Sequence, residues 1–200
     1  MKEIITRNFF SNIQRVRDLT QIHLQIEANP TQYSLVYAAD VLRAAVMLLH
    51  ATLEDLLRGL YRWKLPDRGA EQWSKIPLKG LANGNHPKPF HFGNLKDYSE
   101  ITVKDLLNQS LDEYLNYTNY NRIEDITTLL SEIEIDKEAI ETYFPDLMQM
   151  MLRRHNIVHR ADRERGQSES VSGILEINYS VVIGWLETVE KVGEKILLQV

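Results

Sequence analysis

The chain has no cysteine in 200 residues, which excludes disulfide staples, thiolate nucleophiles and cysteine-ligated zinc. Long apolar runs are also missing. The most apolar window, around Ala44 to Leu57, follows Arg43 directly and holds His50, Glu54 and Asp55, so no membrane span is expected. At the N-terminus the pair Ile4–Ile5 is broken by Arg7 and Asn8, far short of the apolar core of a signal peptide. No strand-length alternation, no βαβ alternation and no internal repeat is visible. Proline is scarce, and four of the six prolines fall between Leu65 and Glu100. These absences predict a cytoplasmic, all-α protein that has no contact with membrane.

What is present is helical periodicity. In Lys2 to Ala28, Phe9, Ile13, Val16, Leu19, Ile22 and Ile26 recur at three- and four-residue steps, and Asn29–Pro30 closes the segment. His23 near this stripe reads as a packed histidine. Tyr33 to Lys64 is the longest predicted helix, roughly 45 Å at 1.5 Å per residue, with the stripe Leu42, Val46, Leu49, Leu53, Leu56 and Leu60. Thr102 to Asn116 follows with Thr102 as N-cap, then Ile123 to Ile133, a short segment capped by Asp136 that runs through Tyr143, a helix opened by Pro145, and Ile174 to Leu198. Leu147, Met148, Met151 and Val158 are assigned to the buried face of the Pro145 helix. The architecture expected is an all-α, antiparallel up-and-down bundle of about five main helices. It forms a single domain over residues 1–200, with an irregular, loop-rich insertion at about 65–100.

Hydrophobic residues make up 44% and charged residues 26% of the chain, ordinary for a globular protein with one real core. The net charge is −5, but it is unevenly spread. Between Arg153 and Arg165 five arginines face Asp162 and Glu164, a local +3, which leaves −8 on the rest. An acidic body argues against generic coating of nucleic acid, whereas a local basic patch suits one or two phosphates. The stretch reads Arg153-Arg154-His155-Asn156-Ile157-Val158-His159-Arg160. Arginine presents a donor fork that matches phosphate, and histidine exchanges protons near neutral pH. Together they point to phosphodiester chemistry.

Arg154, four intervening residues and then His159 resemble the Arg-x(4–6)-His signature of HEPN domains, with His155 in the polar position after the arginine. Ile157-Val158-His159-Arg160-Ala161-Asp162 is similar to bacterial members. The resemblance implies a helical bundle with this motif on its penultimate helix, an endoribonuclease activity, often that of a toxin or antiphage effector, and a homodimer whose composite site joins two motifs. RNA would be the substrate, and an antitoxin or regulatory protein a further partner. It also implies that polar residues of the second helix approach the site, which nominates Glu54 or Asp55 to orient the motif. The alternative is a HEPN-like module that binds nucleotide or protein without cleaving.

The chemistry can be set out from the residues. RNA cleaves at its own 2′-hydroxyl when a base takes that proton, a cation stabilises the phosphorane and an acid protonates the leaving 5′-oxygen. His159 can move protons and Arg154 can hold the developing charge. His155, Asn156, Arg153 and Arg160 are candidates to support them or to bind phosphate. Arg154 and His159 stand about 140° apart on an ideal helix, whereas His155 and His159 share a face. A two-fold axis beside the helix would bring two copies of the pair into one cleft. No metal or cofactor is expected. His155 and His159 have zinc-protease spacing, but Asn156 stands where that motif needs glutamate. His50 with Glu54, and His86 with His91, lack further convincing ligands. Lys75, Lys79, Lys88, Lys96 and Arg68, with Trp73, Phe90, His91 and Phe92, are candidates for a basic and aromatic flap that holds RNA.

Overall fold

The computed structural model describes residues 1–29, 34–80, 91–163 and 173–200. Its helices are α1 (Lys2–Ala28), α2 (Ser34–Lys64), α3 (Ala70–Trp73), α4 (Val103–Tyr117), α5 (Ile123–Glu132), α6 (Phe144–Arg160) and α7 (Tyr179–Leu197). Short 3-10 turns lie at Leu65–Asp67, Phe92–Tyr98 and Glu138–Tyr143. Among the described residues no strand occurs, only an isolated bridge between Arg163 and Ile174. The protein is all-α.

α1 and α2 form an antiparallel hairpin because each carries one apolar stripe. Ile5 lies against Gly59 at one end, and the His23 imidazole meets the Ala38 carbonyl at 3.0 Å at the other. Leu42, Val46, Leu49, Leu53, Leu56 and Leu60 are all essentially fully buried. By length and composition Leu35–Asp67 is apolar enough to cross a bilayer, contrary to the expectation from sequence. Its apolar stripe lies in the core with Phe9 and Val16 of α1, Leu147 and Met150 of α6, and Val189 and Val192 of α7. α7 runs antiparallel to α1, with Tyr179 stacked on His23, Glu190 paired with Arg17, and Gly193 beneath Phe9. α7 also returns along α6, where the Thr188 hydroxyl lies 3.4 Å from an Asp146 carboxylate oxygen.

Two assignments from sequence shift. The last helix starts at Tyr179 and not at Ile174, because the carbonyls of Leu175 and Glu176 are taken by arginine side chains of other helices. On α6, Met148 and Val158 are 52% and 42% exposed, and Met150 takes their place inside with Leu147 and Met151.

The 65–100 region is tied down by its own cations. Arg68 pairs with Glu134 and donates to the Ile133 carbonyl, Lys75 pairs with Glu132, and Lys79 donates to Gln109. Such internal pairing argues against these three side chains forming an RNA flap. Lys88, Phe90 and His86 lie outside the described residues.

Candidate functional site

The phase of α6 decides how the motif is displayed. Leu147, Met150 and Met151 face the core, and Arg154 continues that row by three and four residues. It is therefore half-buried, with a guanidinium nitrogen 3.3 Å from Asn121 Oδ1 and its charge acting on His50 of α2. Met148, Leu152, His155 and His159 follow at steps of four, three and four on the outward face, and all are exposed. The rings of His155 and His159 lie 4.6 Å apart between centroids, tilted by 45°. α6 remains α-helical through Arg160, so no loosened last turn swings His159 toward Arg154.

Arg153 and Asn156 point a third way. They border an open groove of about 350 Å³ between α6 and α7, together with Leu152, Leu175, Val181 and Trp185. Arg153, a candidate phosphate binder from sequence, has other work. It donates to Asp162 at 2.7 Å and to the carbonyls of Leu175 and Glu176 at 3.0 and 2.9 Å. Arg43 of α2 reaches the same Asp162 oxygen at 2.8 Å and also holds the Leu175 carbonyl at 2.9 Å. Asp162 has no exposed surface. Its φ is +60° and that of Ala161 is +48°, left-handed backbone that costs roughly 1–2 kcal/mol per non-glycine residue. Two arginines on one buried carboxylate hold that turn in place, and with it the point where the chain leaves α6.

Behind Arg154 lies a second buried polar cluster. Glu54, 8% exposed, accepts from the Tyr120 amide at 3.0 Å and lies 3.4 Å from Arg58. Arg58 donates in turn to the carbonyls of Leu115 and Thr118 and sits over the Tyr120 ring. Together these contacts fix the segment 118–121 that carries Asn121. Glu54 thus acts on Arg154 at one remove, through the chain it anchors, while Asp55 is exposed and turned away. His50 is 1% exposed, and its Nε2 is buried with no hydrogen-bond partner. Burial lowers its pKa below the ordinary 6.5, and the Arg154 and Arg58 charges push the same way against Glu54 and the Tyr120 backbone. Among the described residues no group of three or more histidine or acidic side chains could hold a metal ion.

The sequence nominates Arg154 and His159, and the structure sets them on different faces of one helix. It joins Arg154 to His50, Asn121 and the Glu54 cluster. His50 and Asn121 were missed as neighbours of the motif because their proximity is purely tertiary. The inward turn of Arg154 was legible in its spacing from Met150 and Met151.

An all-α bundle with an Arg-x4-His motif on its penultimate helix defines a HEPN-type protein. The family model described as RiboL-PSP-HEPN matches residues 11–199; the chain belongs to this family. No curated protein and no solved structure matches it.

Proposed function

We propose that this HEPN-type protein is a cytoplasmic, metal-independent endoribonuclease that cuts single-stranded RNA by 2′-hydroxyl transesterification. It works as a homodimer and serves as a toxin or antiphage effector held in check by a partner protein. The observation that carries the reading is the display of the motif. Arg154 is braced from behind by Asn121, and two histidines stand free on the adjoining outward face.

In this scheme a neutral His159 takes the proton of the ribose 2′-hydroxyl, and that oxygen attacks phosphorus. Arg154 stabilises the added negative charge of the phosphorane. A protonated histidine, His155 or the second copy of His159, gives its proton to the departing 5′-oxygen. The products are a 2′,3′-cyclic phosphate and a 5′-hydroxyl, so atoms and charge balance without a metal. Arg160, half-buried in the last turn, adds a further cation. Asn156 lies on the groove side and has no part in the scheme.

A second copy answers the separation of Arg154 from His159. The outward row is capped by Met148 at 52% and Leu152 at 61% exposure, an apolar lead-in beside the two histidines. A two-fold contact along it would set each His159 across from the other copy's motif.

The test is end-group analysis of a synthetic RNA with a single cut site. Cleavage in EDTA that leaves a cyclic phosphate, and no cleavage when that one ribose is 2′-deoxy, is the expected result. Binding of RNA without any cut would assign the motif to a non-catalytic phosphate site instead.

A further inference from the structure

A cavity of about 160 Å³ opens between α2, α4 and α5, walled by Tyr61, Tyr114, Tyr120, Glu132, Asp125 and Asn119 among others. Its edge reaches Asn119 and Tyr120, and the next residue, Asn121, is the one that meets Arg154. It therefore lies one residue along the segment from the asparagine that contacts the motif arginine. A cavity of roughly 150 Å³ accommodates a benzene-sized ring, so this one, open toward Thr128 on its rim, takes the six-membered half of a purine, the half that carries N1, N2 and O6, with tyrosine rings in its wall.

The polar atoms are unevenly distributed. Glu132 is held by the Tyr61 hydroxyl at 2.8 Å and by Lys75 at 2.7 Å. A carboxylate has about four acceptor positions, so these bonds leave it able to take two more donors. Asp125 also lines the cavity, but Arg122 takes both of its oxygens, at 3.2 and 2.7 Å, which leaves Glu132 as the principal acceptor. Tyr120 is only 3% exposed yet lines the cavity, and no described residue hydrogen-bonds its hydroxyl. Burial raises the pKa of Tyr120, so that hydroxyl keeps its proton and can donate.

We infer that this cavity is a nucleobase subsite and that it takes guanine, placing a guanosine beside the phosphate held at Arg154. Guanine alone among the RNA bases presents two neighbouring donors, N1–H and N2–H, next to a carbonyl acceptor. A carboxylate receives the donors and the Tyr120 hydroxyl serves O6. Adenine and cytosine offer one amino group beside a ring acceptor, and uracil sets a lone N–H between two carbonyls. Each of these turns an acceptor toward an acceptor. The placement beside the scissile phosphate rests on the ribonuclease reading; the guanine site itself does not.

The test separates the two. Full-length protein carrying His159→Ala, which stops cleavage, is titrated by calorimetry with GMP, AMP, CMP and UMP. GMP should bind about ten-fold or more tighter than the others, the discrimination of a good paired contact. Equal affinities, or no GMP binding, overturn the inference. Tyr120→Phe and Glu132→Gln should each weaken GMP binding. Thr128→Trp, on the exposed rim of the cavity, should abolish it with an unchanged melting temperature, and undiminished binding to that variant also sinks the idea. The native enzyme should cut RNA beside guanosine faster than beside adenosine. GMP binding with no cleavage of any RNA defeats the ribonuclease reading and leaves the guanine site standing. Cleavage with no GMP binding and no base preference does the reverse.

Discussion

Asp162 carries more structural consequence than any residue of the motif it follows. It is wholly buried, its backbone is left-handed, and Arg43 and Arg153 share one of its oxygens. Without Asp162, Arg153 keeps only backbone carbonyls and Arg43 only those and the exposed Asp40, and breaking a buried pair in this way costs about 3–5 kcal/mol. Asp162→Ala should therefore lower the melting temperature by on the order of 10 °C, read by differential scanning calorimetry. Arg153→Ala should act in the same direction, whereas a phosphate-binding arginine would cost activity alone. His50 yields a prediction in pH. Its folded pKa is lowered from 6.5 by burial, so the unfolded chain binds the extra proton first as pH falls through 6.5. Stability is then lost on the acid side of that value and is fully present above it. Urea midpoints should fall between about pH 7.5 and about pH 5.5, and His50→Gln should flatten that dependence. An equally steep profile in the variant would show that other groups cause it. At the site, His159→Ala and Arg154→Ala should each cost on the order of 10² or more in cleavage rate. Arg154→Lys should not fully rescue, because an ammonium lacks the two-pronged fork.

Among the elements, α1 and α7 approach closely where Phe9 meets Gly193. A Cβ placed on Gly193 would stand 2.2 Å from Phe9 Cζ, so only glycine lets the ring lie there. Gly193→Ala gains up to about 1 kcal/mol in helix propensity but overpacks the core at a cost of about 1–3 kcal/mol. The net expectation is destabilisation in urea unfolding, relieved by Phe9→Leu in the same chain. If Gly193→Ala alone stabilises the protein, the two helices are not packed this closely. α6 shows how helix phase allocates roles. The core claims one side, the groove with α7 claims Arg153 and Asn156 and shares Leu152 at its edge, and the outward side keeps Met148, His155 and His159.

For the whole molecule the issue is assembly. If the outward row of α6 is the dimer surface, Leu152→Glu places a charge in it and should yield monomers by light scattering while leaving the thermal melt unchanged. Mixing inactive Arg154→Ala with inactive His159→Ala protein should restore activity through mixed dimers that pair an intact arginine with an intact histidine from opposite copies. No recovery after subunit exchange would show that one arginine and one histidine from opposite copies do not suffice for cleavage. The net charge of −5 makes salt a further probe. A site with one phosphate clamp should lose affinity for RNA only gently as salt rises.

Periodicity by itself determined the all-α class, the pairing of α1 with α2 and the stripe from Leu42 to Leu60, because each rests on steps of three and four residues, and the Thr102 cap was legible from its hydroxyl at a helix start. The Arg154–His159 spacing likewise identified the HEPN motif, and Asn29 marked the end of α1. Only tertiary structure decided the work of individual charges. Nothing in the spacing of Arg43, Arg153 and Asp162 shows that they meet, since 119 positions separate Arg43 from Asp162. The same holds for Glu54 and the Tyr120 amide, 66 positions apart. A long side chain with several donors has many partners within reach, and sequence proximity ranks them poorly. Burial ranks them decisively, because a charge removed from water must find its counterpart in the fold. That is why Arg153, equal to Arg154 in the sequence, became part of the frame, while Arg154 stayed at the edge of the site.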